Sequence, residues 1–557
     1  MKGINKKMDS NKQMADLLFK NITKTPDDYE QMYPKRNLEE GAVVTRFAPS
    51  PTGFLHFGGL FAAFIGKTAT KSTNGVFYLR IEDTDKKREV ENGVSLIVKG
   101  LNDFGIEIDE GMLSETDEKG AYGPYTQSKR KEIYQAYVKS LVEQGLAYPC
   151  FMTEEELATI REKQESEKLL PGVYGEFAKY RDITVEEAQK RIENGDEYVV
   201  RLKSPGKEDK RIKFKDVIKG EIEMPENILD VVLLKKDGTP TYHFAHVVDD
   251  HLMRTTHVIR GDEWISSVPI HLQLFWLCGL KPPKYAHISP IMKEENGGKR
   301  KLSKRKDPEA AVSYYSEVGY PKGAIWEYLM TLANSNYEDW RLANPNEDID
   351  NFKFSFSKMS KAGALFDMVA DVSKNYICRL SAEEVYEMVT DWAKENNKKL
   401  YKLLVDDEEY AKAIFAIERG NAKPRKDISA WTDVENYVSY FYSELWDRKF
   451  DFPDNLSNDD MIEILELYKQ IYDENVSSDD WFPQVRDMAE TIGYAKAPKV
   501  YKKDPDSYKG HVGDVAGVIR VAATGRRNTP DLYEILQVLG KDEVMKRFDE
   551  AIESLRG

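Results

Sequence analysis

Four short constellations carry residue types that can do chemistry. His56-Phe57-Gly58-Gly59 follows a strand-and-turn pattern and directly precedes a small-residue helix. Glycines there let backbone N–H groups approach a phosphate, a helix start favours negative charge, and the histidine can donate to a phosphate oxygen. Taken alone, the string fits a helix-start turn with a surface histidine equally well. Lys299 to Lys306 holds six cations in eight residues of an acidic chain. That is either a solvated basic patch or a polyphosphate-neutralising loop, given freedom by Gly297 and Gly298. Arg46, Arg80, Glu82 and Arg260 each fall at the end of an expected strand, where open α/β sheets bind their ligands. Arginines can fork onto a carboxylate and a glutamate can hold an ammonium, although the same residues also suit surface ion pairs. His243, His246, His251 and His257 with Asp249 and Asp250 invite a metal reading. The alternation around them predicts side chains on opposite strand faces, so no metal site is expected.

These residues need elements to position them. Residues 1–40 are polar and form an N-terminal extension with one short helix expected at Met14–Phe19. A strand at Ala42–Phe47, a helix at Leu60–Lys71 and a strand at Val76–Ile81 make a βαβ unit, and so a parallel sheet covered by helices. From 126 to 234, charged helices such as Glu154–Lys168 alternate with short strands, an α+β insertion. Strands are expected again at Thr241–Val248 and Thr256–Arg260, then an apolar helix at Pro269–Leu280. Beyond 332 the spacing of apolar residues predicts almost continuous helix, as in Asp460–Tyr472 and Asp531–Leu539.

Composition narrows the classes. With 81 basic and 96 acidic residues the net charge is −15, which excludes a wholly basic nucleic-acid coat but not a local basic face. Cys150, Cys278 and Cys378 lie far apart, so neither a disulfide framework nor a cysteine zinc finger is expected, and a reducing cytoplasm fits. No apolar run is long enough to span a membrane, and the N-terminus lacks the apolar core of a secretory signal.

Placed together in this order, these strings resemble the class I aminoacyl-tRNA synthetases, and within them the glutamyl-tRNA synthetases of bacterial type. The resemblance runs through RFAPSPTGFLHFGG (46–59), LRIEDTD (79–85), GPYTQSKR (123–130), TYHFAHVVDDHLM (241–253), VIRGDEW (258–264), KLSKR (301–305), GALFD (363–367) and the tail 519–540. It departs at Phe61, often arginine in relatives, and at His246, often asparagine. The insertion holds Cys150 alone, so no zinc is expected.

The resemblance implies a Rossmann-type α/β catalytic domain with a parallel sheet (41–125 and 235–331), interrupted by an acceptor-binding α+β insertion (126–234). A stem-contact region (332–380) and an all-α anticodon-binding domain (381–557) would follow the extension (1–40). It implies ATP-dependent formation of glutamyl-adenylate and transfer of glutamate to tRNA(Glu), with Mg2+ as counter-ion. The alternatives are an enzyme that also charges tRNA(Gln), or a glutaminyl enzyme. His56, Lys301 and Lys304 would be catalytic. Gly58, Gly59, Glu263 and Ser303 would join them around ATP, and Arg46, Ser50, Glu82, Tyr242 and Arg260 would hold glutamate. A cytoplasmic monomer is expected.

Overall fold

The computed structural model describes residues 2–53, 55–85, 89–303, 305–362, 365–366 and 368–557, with residues 2–7 as helix backbone. The chain divides into two units: residues 1–314 with 329–367, and residues 315–328 with 368–557.

In the first unit the strand Val44–Phe47 pairs in parallel with Val76–Leu79, which pairs in parallel with Glu110–Met112. A second sheet pairs His257–Gly261 in parallel with Lys284–Ile288. The two are stitched by the Thr256 N–H donating to Val44 O at 2.9 Å, and by the Val44 N–H donating to Thr256 Oγ1 at 2.8 Å. The spatial order is therefore Glu110, Val76, Val44, His257, Lys284, reversing direction beside Val44. Ligands of open α/β sheets bind at such a reversal, beyond the carboxyl ends of the strands. Arg46 lies near the carboxyl end of one of the two central strands, and Arg260 near that of the other.

The crossover helix is Phe57–Lys71, three residues longer at its start than expected. His56 is its N-cap, and its Nδ1 accepts from the Gly58 N–H at 3.1 Å. Leu60, Phe64 and Ile65 are fully buried beneath it. Gly66 sets the approach: a Cβ there would lie 2.9 Å from the Phe77 ring, so only glycine lets the helix sit this close to the sheet.

The segment 241–248 is a correction. It is not a strand but the start of the helix Tyr242–Leu252, capped at Thr241. Every residue from Phe244 to Asp250 is buried, so no polar face marks a helical period, and the aromatic and β-branched residues tilt the local reading toward a strand.

The insertion contains an antiparallel sheet of Ala147–Cys150, Val199–Leu202 and Val232–Leu234, plus a hairpin, Arg211–Asp216 with Gly220–Pro225. The hairpin reaches the sheet of His257–Gly261 and Lys284–Ile288, where Asp216 pairs with Tyr285. The extension also differs from expectation. It forms two helices, Lys2–Leu18 and Pro26–Met32, and docks on the helix Lys131–Glu143, with Lys139 bonding Ile22 O at 3.0 Å and Asp16 at 3.2 Å. Met14, Ala15, Phe19, Ile22, Tyr29 and Tyr33 are all buried, so packing on a partner distant in sequence, rather than local pattern, holds the extension. Arg36 adds a bidentate pair to Glu110 at 2.7 and 2.9 Å, over the Tyr122 ring.

The second unit is largely helical, with a two-stranded parallel pair, Tyr494–Ala495 and Gly510–His511. Its core joins Val385, Val389, Leu400, Ile414, Val434, Ile464, Val515, Ile535 and Phe548.

Candidate active site

A cavity of about 230 Å3 opens where the first crossover helix begins, and His56, Gly58, Gly59, Phe61, Gly261, Glu263 and Lys301 line it. Because His56 Nδ1 accepts from Gly58, the ring proton sits on Nε2, making that atom the donor. Gly58 therefore contributes space rather than a donor: a Cβ there would meet only the His56 ring, at 3.7 Å. Gly59 is tighter, since a Cβ would lie 3.2 Å from Leu55 and 3.4 Å from Phe47. The exposed Glu263 carboxylate folds back over Gly261, where any side chain would collide with it.

The basic run splits between two structures. Gly298–Lys301 is the second strand of a hairpin with Met292–Glu295, turning at Asn296 and Gly297, both with positive φ. Glycine is needed in that turn, not for general loop freedom. Beyond Lys301, the buried Asp307 ties the segment down. It accepts from Arg300 at 2.6 and 2.7 Å and from the Ser303 N–H at 2.8 Å. The Arg300 hydrogen bonds hold the Asp307 carboxyl well below the usual carboxylate range. Lys304 lies outside the described residues.

A second cluster gathers near the carboxyl ends of the paired strands Val44–Phe47 and Val76–Leu79. Arg46 Nε lies 3.1 Å from Asp250 Oδ1, and Arg80 NH1 reaches the same oxygen at 2.6 Å. Arg80 NH2 donates to Glu82 at 3.0 Å. Burial alone would raise Asp250, but Arg46 and Arg80 outweigh it and hold the carboxyl well below its ordinary value. At Glu82 the balance reverses: burial pushes the carboxyl up despite Arg80 and Arg46. These are buried ion pairs, not the surface pairs that composition also allowed. Ser50 is exposed in the preceding loop, while the neighbouring Pro49 O accepts the Glu82 N–H at 3.0 Å.

Arg260 is 7% exposed. Its Nε donates to His287 Nε2 at 3.0 Å, while NH1 lies 3.3 Å from the Tyr242 hydroxyl and NH2 3.4 Å from Trp264 O. Tyr242 packs on Trp264, with ring centroids 4.4 Å apart, and stacks with His246. His246 is buried beside Asp250, and burial pushes its imidazole down to about 4. It is therefore neutral at pH 7. Among the described residues no group of three or more His, Cys, Asp and Glu side chains is placed to hold a metal ion.

Residues 42–369 match the family model described as tRNA synthetases class I (E and Q), catalytic domain. The chain belongs to this synthetase family. Residues 506–552 of the synthetase also match an anticodon binding domain. A glutamate–tRNA ligase of Clostridium perfringens strain SM101 is 53% identical over 97% of this chain and 99% of its own length. The glutamate–tRNA ligase of Acetivibrio thermocellus is 48% identical over 97% of this chain and 100% of its own length. A crystal structure of a glutamate tRNA ligase from Elizabethkingia meningosepticum in complex with its amino acid superposes with a TM-score of 0.72 at 29% identity, covering 92% of this chain and 99% of that one.

Sequence reading of this synthetase missed the two carboxylates that organise the site. Asp250 gathers Arg46 and Arg80. Asp249, one residue earlier and so about 100° around the helix, takes Arg130 at 2.7 Å, Gln127 at 2.9 Å and Tyr134 at 2.7 Å. The Asp249-Asp250 doublet is visible in the sequence, but among four histidines it invites only a metal reading. Asp216 and His287 gave no local signal at all.

Proposed function

We infer that this synthetase ligates L-glutamate to tRNA(Glu) in two steps: glutamate and ATP form glutamyl-adenylate and pyrophosphate, then the glutamyl group passes to the terminal ribose of the tRNA. The observation that carries this reading is an adjacency. Arg260 is the last residue but one of its strand, among the amino-acid residues, and the next residue, Gly261, lines the cavity shared by His56, Glu263 and Lys301. An amino acid whose side chain meets Arg260 can therefore present its α-carboxylate to a nucleotide in the cavity. In-line attack on an α-phosphate needs positioning and charge stabilisation rather than covalent help from the protein.

The parts divide the work. His56 Nε2–H and the helix start receive the phosphates, Glu263 and Gly59 contact the nucleotide, and Lys301, Ser303 and Lys304 close over the departing pyrophosphate. Glu82 holds the α-ammonium, with Arg46, Ser50 and Tyr242 completing the amino-acid pocket. The described side chains form no cage for a metal, which fits Mg2+ carried chiefly by the ATP phosphates and water. When bound, the ion neutralises charge on the leaving pyrophosphate. The insertion (126–234) receives the acceptor end, residues 332–380 meet the stem, and the helical region 381–557 reads the anticodon. The synthetase works as a cytoplasmic monomer.

Purified glutamate and glutamine tRNAs, each offered with either amino acid, test the assignment. Charging of the glutamate tRNA with glutamate is expected. Charging of glutamine tRNA with glutamate would broaden the RNA specificity. A preference for glutamine as the amino acid would overturn the reading.

A further inference from the structure

Arg260 is held from behind by two buried residues that no motif marks. His287 sits on the neighbouring strand, in register with Arg260, and is fully buried; Asp216 is 1% exposed and comes from the inserted hairpin. Asp216 Oδ2 lies 2.7 Å from His287 Nδ1 and also accepts the His287 backbone N–H at 3.1 Å. Its other oxygen accepts the backbone N–H groups of Ile218 and Lys219 at 2.9 and 2.8 Å. With three backbone N–H groups converging on it, the carboxylate faces His287 as an acceptor. His287 must then carry its proton on Nδ1, leaving the Nε2 lone pair for the Arg260 Nε–H at 3.0 Å.

This geometry has a consequence for the arginine. A guanidinium can take a carboxylate on its Nε–NH2 edge or its NH1–NH2 edge. With Nε committed to His287, the first edge is closed. The outer nitrogens make only longer contacts: NH1 lies 3.3 Å from the Tyr242 hydroxyl, NH2 3.4 Å from Trp264 O, and both lie near His271 Nδ1, at 3.4 and 3.3 Å, while the guanidinium carbon lies 4.9 Å over the Tyr285 ring.

We propose that Asp216 and His287 are positioning residues for amino-acid selection, fixing the Arg260 guanidinium through its Nε so that its outer nitrogens are left to meet the substrate's γ-carboxylate. The proposal rests on the reading of Arg260 given above. Burial lowers His287 despite its Asp216 partner, which keeps the ring neutral and able to accept. The inserted region thereby bears on the amino-acid pocket through His287.

Asp216→Asn separates geometry from mere packing. If the Asn oxygen keeps the two loop N–H groups, its NH2 faces His287, which must shift its proton to Nε2 and confront Arg260 donor to donor. Asp216→Asn and His287→Ala should each raise the glutamate KM in tRNA charging about 10- to 100-fold, as expected for losing a hydrogen bond to a charged group, with the ATP KM moving less than about twofold. His287→Gln, whose amide oxygen can still accept from Nε, should recover most of the loss. Nitrogen-15 spectra of histidine-labelled wild-type protein should show His287 neutral and protonated on Nδ1, a readout that needs no variant to fold. An imidazolium, or a ring protonated on Nε2, overturns the proposal. Arg260→Ala completes the set. If it leaves glutamate KM unchanged, the reading of Arg260 itself falls. If it raises KM while Asp216→Asn and His287→Ala do not, only the positioning role falls.

Discussion

At the scale of single residues, the site is defined by which charges are neutralised and which are left poised. Arg46 and Arg80 share Asp250 and keep it ionised, whereas Glu82 is pushed upward by burial. Only an ionised Glu82 attracts an ammonium. Glutamate use should therefore be lost as pH falls through a value above the ordinary carboxylate range, not at it. Glu82→Gln should lower kcat/KM for glutamate about 10- to 100-fold and abolish that acid limb. A limb that persists unchanged in the variant belongs to another group. Lys304→Ala should slow activation by roughly 10² to 10³, the usual cost of one transition-state donor. Pre-steady-state adenylate formation at the wild-type rate would remove Lys304 from the machinery.

At the scale of elements, distant segments hold the site's supports. The extension is anchored by Arg36, whose side chain is 7% exposed against 18% for Glu110. Glu110 also accepts from Tyr125 at 2.8 Å, and Arg254 reaches back to Glu30 at 2.8 Å. Removing one member of a largely buried pair leaves the other charge uncompensated. Arg36→Ala should cost the first unit about 2–3 kcal/mol, read as a lower urea midpoint of its unfolding step. Charging activity at low denaturant should change little, because Arg36 touches none of the site residues. Loss of activity without loss of stability would assign the extension a different role.

At the scale of the whole molecule, the path of the chain constrains how it can be divided. Residues 315–328 belong to the second unit, where Gly319 O accepts the Trp431 N–H at 3.0 Å and Arg379 pairs with Glu327 at 2.6 Å. Ending the chain at 367 would strip this segment of those partners, exposing Tyr315 and Tyr328, which are buried in the full chain. Limited proteolysis should then cut within 315–328 in the shortened chain and spare it in the intact one. Electrostatics sets a second expectation. At −15 overall, the protein must meet RNA phosphates through local basic strips, so the logarithm of tRNA affinity should fall linearly with log salt. The slope should correspond to only a few phosphate contacts, roughly −0.7 to −0.9 per contact. A slope of zero would exclude direct phosphate pairing.

Local pattern by itself determined a good deal. The strand before His56, the second strand, the strand ending at Arg260 and the C-terminal helices near 460 and 531 were all legible, because turn residues and apolar spacing are short-range signals. The strings around His56, Arg260 and Lys301 marked the family, and the fold brings His56 and Lys301 to one cavity. Three things were settled only by the fold. Tyr242–Leu252 is a helix because neighbours bury it on all sides, which erases the periodicity a sequence reader needs. The extension is ordered because it docks on a helix more than a hundred residues away. Asp250, His287 and Asp216 find their partners across 204, 27 and 71 positions, and a charge says nothing of its partner until the chain has brought the two together.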